Sequence, residues 1–188
     1  MRIVFSVFTF CVLGLFGCGK QSTETKTDLI QQKNNSKKFF NQDGQFKVQF
    51  EDAPTAYSQY VPYESMSAQG GKILMNYFIY EIGINLIYCL SYADYPESFT
   101  NGKVPEDILN DLLDTYCNTQ NTTPETKKMV SFNSFPGIYF KASNSDTFVF
   151  GEYVLRKNRL YQLTVTKEGG YHNEAESNAF LGSLELLQ

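Results

Sequence analysis

The chain is predominantly apolar from residue 3 to 17 and predominantly polar from 19 to 38, and neither block shows a regular hydrophobic period. Alternation begins after them. Asp43-Gly44 reads as a turn, and Phe46, Val48 and Phe50 alternate with Lys47 and Gln49 in the period of a half-buried strand. Pro54 and Pro62 bracket a weaker strand over 57–61, in keeping with an edge or a strand end. Gly70-Gly71 marks a turn before two long strands over 72–80 and 84–92, separated by Glu81-Ile82-Gly83. Their apolar residues fall on successive positions, as in Ile84-Asn85-Leu86-Ile87-Tyr88-Cys89-Leu90, so both faces of the sheet are expected to be covered there.

Pro105 opens a helix with Glu106 and Asp107 in its first turn, where carboxylates favour the positive end of the helix dipole. Ile108, Leu109, Leu112, Leu113 and Tyr116 share one face of it, opposite Asn110, Asp111 and Asp114, and it dissolves over 118–123. The acidic face reads as solvated, with a basic partner as the alternative. Strands are expected over 126–132, 137–142, 147–155 and 159–166, the last two joined by a Lys157-Asn158 hairpin turn. A short helix over 175–181 and a last strand over 184–187 complete the pattern, and no internal repeat is present.

Composition supports sheet over bundle: 16 Phe and 13 Tyr, with no Trp, fall in the alternating runs. The apolar run of 15 residues after Arg2 falls short of the roughly 20 needed to span a bilayer and fits a secretory signal better. It closes on Leu15-Phe16-Gly17-Cys18, which resembles the bacterial lipobox. That resemblance implies cleavage before Cys18 and a diacylglyceryl group on its sulfur, with the bulky Phe16 as a departure. An inert buried cysteine is the alternative, and the polar segment that follows offers it nothing to pack against. Two or three acyl chains, at about 0.8 kcal/mol per methylene, anchor stably where one does not. The resulting division is a signal over 1–17, a lipidated Cys18 with a linker over 18–38, and a domain over 39–188. A coil of about 20 residues reaches roughly 25 Å.

Charge divides along the same line. Residues 19–38 carry five lysines against Glu24 and Asp28, a net +3, while 39–188 hold ten basic and eighteen acidic side chains, a net −8. A basic tether under an acidic domain suits a chain leaving an anionic membrane, although a solvated linker accounts for the lysines equally well. Nucleic acid is a poor partner for so acidic a domain.

Five phrases, in this order, resemble the PsbP-like family of lumenal photosystem subunits, Mog-type Ran-binding proteins and bacterial lipoproteins. They are Asp43-Gly44-Gln45-Phe46-Lys47-Val48, Ser91-Tyr92-Ala93-Asp94-Tyr95-Pro96, Phe135-Pro136-Gly137-Ile138, the stretch from Arg156 to Leu163, and Ala179-Phe180-Leu181-Gly182-Ser183. The resemblance covers about 39–188. It departs where Gly182 and Leu184 replace the family's Asp and Phe, which bears on the last strand. It implies an α/β (α+β) fold, an antiparallel sheet sandwiched between helices, and it supplies no shared active site.

Candidate chemistry is sparse. Cys89 and Cys117 are a candidate disulfide in an oxidising compartment or two unpaired thiols, and proximity cannot be read from the sequence. Asp94 and Glu97 offer two carboxylates on one loop as a candidate ion or ligand contact, against local turn hydrogen bonds for Asp94. Tyr57, Tyr60 and Tyr63, spaced by three in a proline-broken segment, are candidate protein contacts or sheet packing. His172 is the sole histidine, so no histidine metal cluster is expected, and a Cys-His pair would need it to meet Cys89 or Cys117. Gly70-Gly71 and Gly169-Gly170 lack the flanking residues of a phosphate loop.

The expectation is a membrane-anchored envelope lipoprotein with a non-catalytic binding or assembly domain, an unidentified envelope protein as partner, and no cofactor or metal. A small-ligand or ion-binding module is the first alternative and an enzyme the second.

Overall fold

The computed structural model describes residues 38–63, 71–169 and 173–187, so the expectations for Cys18, for nearly all of the linker and for His172 lie outside the described residues. The alternating runs form strands, and most of them belong to one sheet. In chain order the elements are β1 (Phe39–Asn41), β2 (Phe46–Val48), β3 (Thr55–Tyr63), β4 (Gly71–Ile82) and β5 (Leu86–Asp94). Helices α1 (Glu97–Thr100) and α2 (Pro105–Gln120) follow, then β6 (Thr123–Phe132), β7 (Phe135–Ser143), β8 (Thr147–Arg156) and β9 (Arg159–Glu168). Helix α3 (Glu174–Leu181) and β10 (Glu185–Leu186) end the described chain.

Seven strands make an antiparallel sheet in the order β3-β4-β5-β9-β8-β7-β6. After β5 the chain crosses through α1 and α2 to the far edge, then meanders back until β9 pairs with β5. The register there runs from Leu86 opposite Lys167 to Asp94 opposite Arg159. Strands β1, β2 and β10 form a separate three-stranded antiparallel sheet.

The successive apolar positions of β4 and β5 are explained by two cores. On one face Ile108, Leu109, Leu113 and Cys117 of α2 pack with Ile138, Phe140, Tyr153 and Leu155. On the other, Phe46, Val48 and Phe50 join Phe180 and Leu181 of α3 against Phe78, Leu90, Tyr161, Leu163 and Val165. Each large side chain buried in these layers contributes about 1.5–3 kcal/mol relative to exposure. The second face corrects the expectation of helices on both sides: a small sheet covers much of it, beside the eight-residue α3. Its signal was the aromatic spacing of Phe39, Phe46 and Phe50: the Phe39 ring meets Phe46, Phe50 and Phe78, and Phe46 meets Phe78, at centroid distances of 5.2–6.2 Å.

Helix α2 starts at Pro105 with the acidic first turn expected of it and stops at Asn121, which takes the left-handed conformation with φ 53°. The strand questioned at the C-terminus is present as β10, paired with β2. In the β8–β9 turn it is Lys157, not Asn158, that adopts positive φ (59°). Asn158 is held instead by hydrogen bonds to another segment, described below. Among the described residues no helix is long and apolar enough to cross a membrane.

Candidate functional site

Three of the phrases singled out in the sequence converge at one end of the large sheet. Asp94 closes β5 and Arg159 opens β9 directly opposite it. The guanidinium donates from Nε to Asp94 Oδ1 and from Nη2 to Oδ2, both at 2.6 Å, and from Nη1 to the Asp43 carbonyl at 2.8 Å. Its carbon lies 5.1 Å from the centre of the Tyr92 ring. Hydrogen bonding to Asp94 raises the guanidinium pKa further above its usual value, so this charge is permanent. Beside it Asn158 donates from its side chain to the Tyr95 carbonyl at 2.7 Å and accepts from the Tyr95 N–H at 2.8 Å. The buried Tyr161 hydroxyl donates to the Gly44 carbonyl at 2.8 Å. The β1–β2 turn, the end of β5 and the β8–β9 hairpin are thereby tied into one junction.

Of the two carboxylates offered as a candidate ion or ligand contact, Asp94 is the one drawn into this junction. Both Asp94 oxygens are committed to Arg159, and among the described residues no three His, Cys, Asp or Glu side chains are grouped to hold a metal. Glu97, exposed at the start of α1, instead borders a cleft of about 370 Å³ that Lys103, Ile108, Leu155, Lys157 and Asn158 also line. Lys103 is partly engaged there, its amino group 4.5 Å from the centre of the Phe99 ring.

The interval of three sends the β3 tyrosines to different faces, because a strand alternates with period two. Tyr63 meets the Tyr95 and Phe99 rings edge-on at 6.2 Å and belongs to the α2-side core. Tyr57 stacks on Tyr77 at 4.8 Å and stays 41% exposed. Tyr60 points to the opposite face, 70% exposed, with its cross-strand neighbour Leu74 at 42%.

Cys89 and Cys117 are both free, the second of the two states that the sequence left open. They lie on the same side of the sheet but on separate elements, the middle of β5 and the last turn of α2. Burial pushes the Cys89 thiol up to about 12 and raises that of Cys117 as well. Neutral thiols at physiological pH are poor nucleophiles. In the same core Tyr153 is fully buried, with a hydroxyl that has no hydrogen-bond partner among the described residues.

Sequence reasoning missed Glu152. Phe150 and Val154 flank it on the α3 side of β8, and its cross-strand neighbours are Tyr139 and Leu163. Burial pushes its carboxyl up to about 7. The nearby cation is engaged elsewhere, since Lys141 pairs with Glu174 at 2.6 Å. A single acid within the apolar run Thr147–Arg156 was the available signal.

No protein-family model matches the chain, and a search of curated proteins likewise found no match. Among solved structures, the cyanobacterial PsbP (CyanoP) of Synechocystis sp. PCC 6803 superposes with a TM-score of 0.52 at 7% sequence identity, covering 80% of this chain and 91% of that one. At that identity the likeness concerns backbone architecture alone. The chain therefore has a sheet-dominated, PsbP-like fold.

Proposed function

We propose that this protein is a lipid-anchored component of the cell envelope, held on the periplasmic or outer-surface side, whose domain is a non-catalytic binding or assembly module. In this reading it joins bacterial lipoproteins that use a PsbP-like domain. The observation that carries the anchor is the apolar run that closes on Leu15-Phe16-Gly17-Cys18 and gives way at once to a polar segment. The binding role draws on the side chains that the domain leaves open: Tyr60 and Leu74 are exposed while Asp94, Arg159 and Lys141 serve the fold. Tyrosine is enriched in contact surfaces because it brings a large apolar body and a polar tip at low entropic cost.

Cys18→Ser tests the anchor. The variant should lose its acyl chains and leave the detergent phase for the aqueous phase, and a variant that partitions as the wild type does refutes the assignment. Crosslinking in the native envelope, followed by mass spectrometry, tests the module: a partner captured by the wild type should be lost with Tyr60→Ala. The cleft bordered by Glu97, Lys103 and Lys157 favours a second reading, a small polar ligand held there. That reading requires a ligand-dependent rise in melting temperature that Lys157→Ala abolishes.

A further inference from the structure

The two edges of the large sheet are treated differently. On β6 the chain places Pro124, a register shift between Pro124 and Thr126, and the charges Glu125, Lys127 and Lys128, all of which discourage another strand from adding. On β3, nine residues in the sequence Thr-Ala-Tyr-Ser-Gln-Tyr-Val-Pro-Tyr, there is no charge at all. Among the described residues its sole sheet partner is β4, and its register with β4 continues unbroken from Thr55 to Tyr63.

Pro62 indicates which backbone groups face outward. Proline is tolerated within an edge strand where the missing N–H would point away from the sheet. By the two-residue period, Ala56, Ser58 and Tyr60 then present their N–H and C=O on the same outer side. Exposed aromatics flank that row on both faces, Tyr57 on one, and Tyr60 with Leu74 on the other.

We propose that β3 pairs antiparallel with β3 of a second copy of this chain, joining two seven-stranded sheets edge to edge about a twofold axis at Gln59. A domain of net −8 over residues 39–188 repels its own copies over most of its surface, and the charge-free β3 is where two can meet without setting like charges opposite each other. Centring on Gln59 sets Ser58 against Tyr60 of the other copy in hydrogen-bonded pairs. It also sets Tyr57 against Val61, an aromatic facing a β-branched side chain, and Thr55 against Tyr63. A strand of nine residues is about 30 Å long and buries less than the roughly 1,200 Å² of a standard interface, so the pair is weak and concentration-dependent. The inference does not depend on acylation of Cys18, although copies tethered to one membrane would meet at higher effective concentration.

The test uses the full chain in detergent. Sedimentation equilibrium should show reversible dimerisation. Tyr60→Lys should raise the dissociation constant about tenfold or more, because it sets two ammonium groups diagonally across the strand pair. In the proposed register the two Gln59 positions face each other as a non-hydrogen-bonded pair with Cα atoms about 4.5 Å apart, so Gln59→Cys should crosslink to dimer on mild oxidation where wild type, with the same native cysteines, does not. Circular dichroism checks that each variant is folded. A chain that stays monomeric at every attainable concentration overturns the proposal. So do a dimer indifferent to Tyr60→Lys, a folded Gln59→Cys variant that fails to crosslink, and protection of the β3 amides from exchange by some other protein alone.

Discussion

The half-buried Glu152 carboxyl should make stability fall as pH rises from acid values to neutrality. Its side chain lies between Phe150 and Val154 beneath the layer of α3, where the charged form has given up water without gaining a cation, because Lys141 is held by Glu174. Other charged or titratable groups near this layer, Glu174, Glu176 and Tyr139, supply no positive charge. The carboxyl moves from an ordinary value of 4.5 to about 7 in the fold. Between those values the folded state holds a proton that the unfolded state has released, so stability declines with rising pH across that window and levels off above it. A shift of that size corresponds to an upper limit of about 3 kcal/mol, and residual access of water reduces it to about 1–2 kcal/mol. Glu152→Gln removes the ionised state while keeping a similar shape. Thermal unfolding followed by circular dichroism from about pH 4 to 8.5 should give near-equal stabilities at the acid end and, at the alkaline end, a variant several degrees more stable, at about 2–4 °C per kcal/mol. Parallel pH profiles for the two proteins, or a variant less stable at pH 8, would refute the reasoning.

Gly151→Ala should lower stability by about 1–3 kcal/mol, because the new methyl would run into the fully buried Phe140 ring; an unchanged urea midpoint counts against this packing. Arg159→Ala removes both Asp94 contacts and the donor to the Asp43 carbonyl and should cost about 1–2 kcal/mol, discounted for the half-exposed Asp94, with Arg159→Lys recovering only part because an ammonium cannot make the two-pronged contact. Melting curves that fail to separate the two substitutions would contradict the paired geometry. Cys89 should resist iodoacetamide at pH 8 in the folded protein, because burial holds its thiol in the neutral form, and labelling as fast as a free thiol would show the site to be open.

Local order was legible in the residues themselves. Pro105, the acidic turn after it and the apolar face of 108–116 specify α2 within a few positions, and the doubled apolar runs of β4 and β5 announce a sheet covered on both sides. These features follow from backbone sterics and from side-chain periods that repeat over a few residues, so neighbours along the chain carry all the information. What lies across the sheet was not available in that way. The closure of β9 onto β5, the small sheet that shares the second face with α3, the commitment of Asp94 to Arg159 and the placing of Cys89 and Cys117 in one core each join positions far apart in sequence. The same holds for Glu152, an ordinary acid by type, whose unusual ionisation is created by the elements folded over it. Periodicity names which face of an element is apolar, but only the packed chain decides which surface meets it, because that choice is made by the combined burial of many segments at once.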